Sequence, residues 1–363
     1  MSLPSRGGPL AGLRVVELDA VGPVPHAGML LADLGAEVLL IRRPGVDLGG
    51  KLLSDRSHHI VELDLKFAAN HGVARRLLAR ADILLEGFRP GVLERLDLGP
   101  DGLLADNPRL IIGRMTGWGQ DGPLAHSAGH DINYISLTGA LAAIGPADGD
   151  PLPPLNLVGD FGGGALYLVV GVLAALHERG RSGRGQVIDA AMVDGASHLM
   201  AMFWAMRELG MLAPRRGANM LDGGAPYYRT YRCACGGHVA IGAIEPQFWA
   251  IVVDRLGLDP QLAARRDDPA AWPALREAIA ARIATRNRAE WEALFTGTDA
   301  CFSPVLGLDE VAQYPHVAAR GTIVSPGGIP QPAPAPRFSR SAAPPVALPE
   351  RLDAAVALGR WGA

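Results

Sequence analysis

The chain has 363 residues, of which 48% are hydrophobic, and a formal net charge of −3. A chain of this length exceeds the size at which a single hydrophobic core keeps growing, so two domains are expected. The near-neutral charge excludes a global basic field that would attract nucleic acid or an anionic membrane surface. An anionic ligand must therefore be bound by a local cluster of cations.

The sequence predicts neither a membrane span nor a secretion signal. The longest apolar run, Ala165–Leu176, is shorter than the ~18 residues of a span and is interrupted by Gly171. The N-terminal residues Met1–Gly8 lack the apolar core of a signal peptide. We therefore expect a cytoplasmic protein without a membrane span.

The cysteines and the adjacent histidines do not predict a metal site. Cys233, Cys235 and Cys301 cannot all pair with one another, and Cys-x-Cys is a poor zinc spacing. His58 and His59 would point apart in a strand, and no third ligand is in view. The sequence thus favours reduced cysteines and no structural metal.

The first elements predict a βαβ unit. Leu13–Leu18 is a predicted strand, His26–Leu34 a helix and Glu37–Ile41 a second strand. The unit lacks the Gly-x-Gly-x-x-Gly turn of a dinucleotide site, and its second strand runs into Arg42-Arg43-Pro44 instead of an acidic residue. An arginine there suits an additional phosphate, which both NADP and coenzyme A carry. The missing glycine fingerprint favours coenzyme A.

Further predicted strands also end in cations. Ile60–Lys66 ends in a lysine, and Asp82–Glu86 leads into Gly87-Phe88-Arg89-Pro90-Gly91. Because ligands collect at the carboxyl ends of parallel strands, cations from successive strands are expected to meet around one polyanion. The cations concerned are Arg43, Lys66, Arg89 and Arg95.

The rest of the chain continues this pattern and then changes in character. The predicted large domain adds a helix at Gly102–Asn107, strands at Leu110–Met115 and Gln186–Asp189, a helix reaching Arg179, a helix at His71–Arg80 and a buried helix at Met192–Met206. A second domain follows with strands at Tyr227–Cys233 and His238–Ile244 and helices at Gln247–Leu256, Trp272–Thr285 and Arg288–Phe295. The proline-rich Pro326–Pro349 is expected to be extended, before a terminal helix at Leu352–Trp361.

Two short segments carry groups that can move a proton. Gly129–Tyr134 contains His130, which titrates nearest neutrality, and Asn156–Gly164 contains Asp160. Asp160 precedes three glycines and an apolar run, so it is predicted to cap a helix whose first N–H groups are free. An N-cap aspartate and a semi-buried histidine would explain each residue equally well if taken alone.

In their order along the chain, these segments resemble the family III coenzyme A transferases. The resemblance covers nearly the whole chain and depends on Gly12–Leu18, Asp33–Ala36, Leu65-Lys66, Glu86–Gly91, Met115–Gln120, Gly129–Tyr134, Gly159–Gly164 and Ala243–Phe248. Within the family, the chain is similar to the members that racemise 2-methylacyl-CoA thioesters. It departs from them in the first turn and between Pro44 and Asp64.

The resemblance implies the site residues. His130 and Asp160 would form the catalytic pair, and Glu245 would orient the histidine. The residues matching the family's coenzyme A contacts are Arg43, Leu63, Asp64, Leu65, Lys66, Glu86, Gly87, Arg89, Arg95, Gly129, Asp131 and Tyr134. Coenzyme A would be part of the substrate, so neither a separate cofactor nor a metal is expected.

The resemblance also implies the fold, which is an α/β fold with a Rossmann-like large domain built on a parallel sheet and a smaller α+β domain. We expect residues 1–213, completed by 326–363, to form the large domain. Residues 214–226 would be the linker and 227–325 the small domain. The implied assembly is an interlocked homodimer.

Inverting a stereocentre beside a thioester requires one acid/base group on each face of Cα, and His130 with Asp160 would supply them. We expect N–H groups at the start of the Phe161 helix to stabilise the enolate oxygen. A coenzyme A transferase, in which Asp160 attacks an acyl-CoA to form a mixed anhydride, is the alternative, but it needs no opposing base. An inactive coenzyme A-binding subunit has no need of His130, Asp160 and Glu245 together.

Overall fold

The computed structural model of the chain describes residues 7–45 and 54–363. The prediction that Met1–Gly8 is not a signal peptide therefore concerns residues that are mostly outside the described ranges. Residues 46–53, in the weakly matching stretch between Pro44 and Asp64, are outside them as well.

Parallel strands dominate the described part of the chain. The strands are β1 (Arg14–Leu18), β2 (Glu37–Arg42), β3 (His59–Glu62), β4 (Ile83–Glu86), β5 (Ile111–Thr116), β6 (Val187–Ala191), β7 (Tyr228–Arg232), β8 (His238–Gly242), β9 (Phe302–Val305), β10 (Ile323–Val324), β11 (Gln331–Pro332) and β12 (Glu350–Leu352).

Helices connect most of these strands. They are α1 (Pro23–Asp33), α2 (Ala68–Leu78), α3 (Val92–Arg95), α4 (Pro100–Asp106), α5 (Asp131–Ser136), α6 (Ala140–Ala143), a π-helix (Leu157–Ala165), α7 (Leu166–Ser182), α8 (Met192–Leu199), α9 (Ala201–Glu208), α10 (Pro246–Leu256), α11 (Pro260–Ala263), α12 (Trp272–Ile283), α13 (Arg288–Phe295), α14 (Leu308–Val311), α15 (Pro315–Arg320) and α16 (Ala354–Trp361). Short 3₁₀ turns lie at Pro269–Ala271 and Pro326–Gly328.

The chain divides into two compact units. The large unit contains the described residues up to Gly139, Pro154–Met200 and Pro315–Ala363, and the small unit contains Ala140–Pro153 and Ala201–Tyr314. These bounds differ from the predicted domains, because Ala140–Pro153 joins the small unit and the division after α8 falls before Ala201. The reason for the first difference is Arg216, whose guanidinium donates to the carbonyls of Ala142, Pro146 and Gly149.

Seven parallel strands form the sheet of the large unit, in the order β12-β3-β2-β1-β4-β5-β6. Successive residues of the central strands alternate between two hydrophobic cores, one on each face of the sheet. Val15 and Ile83 contribute to one core, whereas Val16 and Leu84 contribute to the other. This period of two, with helices covering both faces, confirms the predicted α/β class with a parallel sheet.

The small unit has a separate sheet and an aromatic core. The antiparallel strands lie in the order β7-β8-β9, and Trp249 and Phe295 pack in the core with the fully buried Trp291. The sequence analysis predicted β7 and β8 but not β9, whose short segment contains Pro304 and lacks a clear alternation.

Two predicted elements end or pack differently from expectation. The strand expected to reach Lys66 ends at Glu62, because the Asp64 side chain accepts the Lys66 N–H (3.1 Å) in a local turn. The single buried helix expected at Met192–Met206 is two helices, α8 and α9. Met192 is buried, but α9 contains no buried residue and Met202 is 50% exposed.

The C-terminal segment returns to the large unit. The stretch after Pro326 is largely irregular, and β12 then pairs in parallel with β3 at the edge of the sheet. The sequence analysis did not predict this strand, because its three residues follow directly on a run of prolines.

One helical stretch, Leu157–Ser182, is long and apolar enough to span a membrane by length and composition alone. This stretch is only partly buried: Leu168 and Val172 are fully buried in the core on one face of the sheet, whereas Val170 is 62% exposed.

Candidate active site

The strand order places a crevice between β1 and β4. From β1 the chain continues to β2 and β3 on one side of the sheet, and from β4 it continues to β5 and β6 on the other side. Ligands of such sheets bind at the carboxyl ends of the strands where the order reverses. The segments that follow these two ends are 19–22, which leads into α1, and the turn Gly87–Gly91.

Asp160 lies inside the π-helix and does not cap it. The N-cap residue is Asn156, so Asp160 belongs to the first turn. The N-cap prediction was therefore wrong. A π-helical turn is rare and is frequently associated with functional sites, because the wider turn reorients the side chains that it carries.

The environment of Asp160 is made by neighbours with opposing effects. The Asn156 side-chain amide donates to Oδ2 of Asp160 (3.0 Å), and the Asp160 N–H donates to a carboxylate oxygen of Asp131 (2.7 Å). Burial raises the pKa of Asp160; the Asn156 hydrogen bond opposes this, the Asp131 charge adds to it, and the His130 charge lowers it. Asp160 is thus half-buried and easier to protonate than an ordinary aspartate.

His130 begins α5 and has an exposed side chain. The Asn133 side chain accepts the His130 N–H (3.1 Å), and the Asn133 N–H donates to the His130 carbonyl (2.8 Å), so the backbone is fixed on both sides. The imidazole lies near enough to Asp160 for its charge to act on that carboxylate. Both predicted acid/base residues therefore lie on the large unit, within electrostatic reach of one another.

Tyr134 packs against the loop that carries His130. Its hydroxyl donates to the Gly129 carbonyl, and its ring lies 4.8 Å from that of Trp118 in an edge-to-face contact. A Cβ atom at Gly117 would lie 2.0 Å from the Tyr134 ring. Glycine at position 117 thus allows the ring to pack under the loop.

The glycines after Asp160 serve close packing. Added Cβ atoms at Gly163 and Gly164 would lie 2.5 Å from the Ala196 nitrogen and 2.9 Å from Met192, so these glycines let α8 approach the π-helix. The Phe161 N–H donates to the Asn156 carbonyl (3.3 Å). The structure therefore does not support the predicted enolate-binding amides at the start of a Phe161 helix.

Four predicted coenzyme A ligands form an exposed set of cations on the large unit. Among the described residues, none of the four forms an ion pair, in contrast to Arg42, which is buried and pairs with Asp55 (2.9 Å) and Asp19 (3.3 Å). We call this set the cationic edge; it consists of Arg43, Lys66, Arg89 and Arg95.

Other predicted coenzyme A contacts have buried side chains. Leu63, Glu86 and Asp131 are only 3%, 0% and 7% exposed, so they offer a ligand little accessible surface. Glu86 accepts from Arg114 (2.8 Å) and from the Phe88 N–H (2.7 Å). It thereby positions the turn that carries Gly87 and Arg89. Of the remaining predicted contacts, Asp64 and Leu65 lie at the turn before Lys66, and Gly129 lies in the His130 loop.

Glu245 lies in the small unit and is exposed at the N-cap of α10. The preceding backbone is fixed by Arg266, whose guanidinium donates to the carbonyls of Ala243 (3.3 Å) and Ile244 and stacks 4.1 Å from the Tyr227 ring centre. Sequence reasoning missed Arg266, because it follows Glu245 by 21 residues in an unrelated segment.

Sequence reasoning also missed the contacts that tune Asp160. Asn156 was noted only as the start of a motif, and Asp131 only as a substrate contact. Gly22 was missed as well: a Cβ atom there would lie 2.8 Å from Oδ2 of Asp160. The residue types gave no signal for the Asp131 and Gly22 contacts, because these join segments about 30 and 140 positions apart along the chain. The Asn156 contact spans four positions and depends on the π-helical turn.

No cluster of potential metal ligands occurs within the described ranges. The three cysteines are free, and Cys233 is buried while Cys235 and Cys301 are exposed.

The fold and the site define a member of a family of coenzyme A-dependent enzymes. The chain belongs to the CoA-transferase family III, whose sequence profile matches residues 10–350. The α-methylacyl-CoA racemase of Mus musculus is 47% identical over 339 residues, covering 93% of this chain and 88% of the mouse protein. The α-methylacyl-CoA racemase of Homo sapiens is 45% identical over 316 residues, covering 87% of this chain and 82% of the human protein.

A solved structure shows the same fold. The crystal structure of a CAIB/BAIF family protein from Brucella suis superimposes with a TM-score of 0.78 at 28% identity, covering 93% of this chain and 96% of that one. The resemblance to the family that the sequence motifs indicated is confirmed.

Proposed function

We propose that the chain is an α-methylacyl-CoA racemase that interconverts (2R)- and (2S)-2-methylacyl-CoA thioesters. The observation that carries this proposal is that the Asp160 carboxylate lies beside Gly22, which follows β1 at the switch point of the sheet, and within electrostatic reach of His130. The similarity to the mouse and human racemases supports the same reaction.

In the proposed reaction one residue of the pair removes the Cα proton and the electron pair moves onto the thioester oxygen, which gives an enolate. The other residue then delivers a proton to the opposite face of Cα, and the carbonyl re-forms. In the reverse direction the roles exchange, so the two groups start in opposite protonation states. Burial, together with Asp131, raises the pKa of Asp160, which makes its protonated form easier to reach.

The test follows deuterium at Cα. The wild-type chain, given either enantiomer of a 2-methylacyl-CoA in D₂O, should yield both enantiomers labelled at Cα. Asp160→Asn should no longer racemise but should wash deuterium into one enantiomer, because His130 still exchanges the proton on its own face. His130→Gln should label the other enantiomer, and His126→Gln, which changes an exposed neighbouring histidine, should behave as wild type. Racemisation by Asp160→Asn at near wild-type rate would contradict the two-base assignment.

The same assay separates the racemase from a coenzyme A transferase. A transferase would form a mixed anhydride at Asp160 and move coenzyme A to an added carboxylate, without labelling Cα. His130 beside Asp160 favours the racemase, because anhydride formation needs no base opposite the aspartate. Coenzyme A exchange into free acid without Cα labelling would replace the racemase proposal.

The cationic edge is proposed to bind the phosphates of the coenzyme A moiety, with Arg43 at the 3′-phosphate. Its support is the exposure of four cations without ion pairs among the described residues. Substrates lacking the 3′-phosphate should bind less tightly, and Arg43→Ala should shrink that difference. If Arg43→Ala weakens both substrates equally, Arg43 does not contact this phosphate.

An interlocked homodimer is proposed as the active form. The support is an exposed apolar face on α7, where Leu166, Val170 and Leu173 follow one another at helical spacing and are 49%, 62% and 37% exposed. In such a dimer, Glu245 of one chain would orient His130 of the other. Mixing His130→Ala and Glu245→Ala chains during refolding should then restore activity, since one site of each mixed dimer receives both intact residues. Mixed dimers without activity would contradict a shared site.

The substrate class is proposed to be branched-chain 2-methylacyl-CoA of lipid metabolism, and the location to be cytoplasmic. No separate cofactor and no metal are proposed, because both protons move through side chains. Activity that withstands dialysis against EDTA would agree with this proposal, and loss of activity restored by a metal would contradict it.

A further inference from the structure

The small unit contains a cavity of about 890 Å³ whose lining is formed by its own residues. The segment around Gly145, the turn at 217–223 and the strands β7, β8 and β9 surround it. Its size suits a small organic ligand. Gly242, which precedes Glu245 by three residues, lines this cavity together with Cys301. The Gly242 N–H donates to the Cys301 carbonyl (2.8 Å).

Two arginines in the lining have no carboxylate partner among the described residues. The Arg229 guanidinium lies 5.6 Å from the centre of the Tyr231 ring, and Nε of Arg229 is buried without a hydrogen-bond partner. Arg276 donates once, to the Gly224 carbonyl (3.2 Å). A buried donor without a partner is costly, so these guanidiniums are suited to a ligand that accepts hydrogen bonds.

The acidic side chains in the lining do not neutralise these arginines. Asp222 accepts from the N–H groups of Gly217 (2.8 Å), Asn219 (3.0 Å) and Gly224 (3.0 Å) and from the Asn219 side chain (2.9 Å). Asp148 pairs with the exposed Arg215. Neither carboxylate of the lining is therefore in direct contact with the guanidinium of Arg229 or Arg276.

We propose that this cavity binds an organic carboxylate between Arg229 and Arg276. Guanidinium groups form paired hydrogen bonds with the two oxygens of a carboxylate, and Thr230 and Ser303 add hydroxyls to the lining. The carboxylate is that of a free acid, so the proposal does not depend on the racemase function.

Binding of the free acid is tested by calorimetry on the full-length chain with succinate and glutarate as probes. Both should bind saturably, and the uncharged diamides should not. Arg229→Gln and Arg276→Gln should each weaken binding about tenfold or more, because a hydrogen bond to a charged group is lost. Arg229→Lys should retain part of the affinity. Arg232→Gln, on the same strand but outside the lining, is the matched control and should bind as wild type.

Saturable succinate binding that weakens in Arg229→Gln and not in Arg232→Gln would support the carboxylate site. No saturable binding, or equal effects of Arg229→Gln and Arg232→Gln, would overturn it. Because calorimetry needs no turnover, this result does not depend on whether the chain is a racemase.

Discussion

Two groups of charged side chains on the large unit differ in how they are balanced. One group, which we call the buried charge layer, consists of buried residues in ion-pair contact: Arg56 with Asp33, Arg42 with Asp55, and His58 with Glu17. Asp160, by contrast, lies between a neutral amide donor, Asn156, and a like charge, Asp131, with His130 nearby. Each charged side chain of the buried charge layer contacts a side chain of opposite charge, whereas Asp160 is not paired in this way.

This difference separates stability from reactivity. A neutralised buried pair binds segments together, and breaking it leaves a charge without solvent or partner. An aspartate whose neighbours do not neutralise it is easier to protonate, which suits a group that must both give and take a proton. Changes in the buried charge layer should therefore alter unfolding, whereas changes around Asp160 should alter rate and its pH dependence.

The largest expected effect comes from the buried charge layer. Arg56→Met should lower the free energy of unfolding by about 3–5 kcal/mol, because it leaves the Asp33 carboxylate buried and unpaired. Arg56 also donates to the Gln331 side chain (3.1 Å) and the Pro332 carbonyl (2.7 Å), so the C-terminal segment should loosen as well. Urea unfolding at equal chain concentration measures the change.

Asp33 determines how the stability deficit of Arg56→Met changes with pH. Burial raises the pKa of Asp33 and Arg56 opposes that rise, so removing Arg56 should raise this pKa further. The penalty is present while Asp33 is charged, and it is relieved as pH falls through the raised pKa and the carboxyl takes up a proton. The deficit of Arg56→Met should therefore shrink at acid pH. Arg43→Met, which alters an exposed arginine, should change stability by no more than about 0.5 kcal/mol. Equal losses of stability in Arg56→Met and Arg43→Met would mean that pairing in the buried charge layer does not determine stability.

The next effect is on rate. In Gly22→Ala the new methyl group would lie 2.8 Å from Oδ2 of Asp160, at a backbone φ of +73°. The carboxylate must move, and a displacement of about 1 Å can cost about 10²-fold in kcat/KM. Gly12→Ala is the control, because Gly12 has φ +90° but nothing within 4 Å of an added Cβ atom. It should share the backbone strain and keep its activity; a similar loss of activity in both would assign the effect to strain.

The sequence predicted the strands well because parallel strands buried on both faces are continuous apolar runs, as in Leu39-Leu40-Ile41. The central acid/base pair followed from residue type and family resemblance. The local geometry of Asp160 did not follow, because Asp before glycines has the same pattern whether it caps an α-helix or lies within a π-helix. Nor could the sequence show that Asp131 turns inward, since that depends on Gly159, where a Cβ atom would lie 2.4 Å from its carboxylate.

A smaller effect is expected from the like charge beside Asp160. In Asp131→Asn the amide oxygen can still accept the Asp160 N–H, so the geometry is kept while the negative charge is lost. Because the Asp131 charge raises the pKa of Asp160, this pKa should fall, and the limb of the pH–rate profile that belongs to Asp160 should move to lower pH in both reaction directions. The rate at the optimum should fall by about tenfold or less. Asp121→Asn, an exposed control with the same charge change, should leave the profile in place, and an unmoved limb in Asp131→Asn would contradict the tuning role.

The smallest effect should have the opposite sign. Asn156→Ala removes the donor to Oδ2 of Asp160 (3.0 Å), which stabilises the charged carboxylate and so lowers its pKa. Without it the pKa of Asp160 should rise, and the same limb should move to higher pH, with a change in rate of about fivefold for one hydrogen bond of ~1 kcal/mol. Profiles measured in both reaction directions should show one limb displaced in opposite senses by Asn156→Ala and Asp131→Asn. In the double variant the two displacements should largely cancel. Displacement in the same sense would mean that both variants act by disturbing the π-helix, and that the imbalance around Asp160 does not set its pKa.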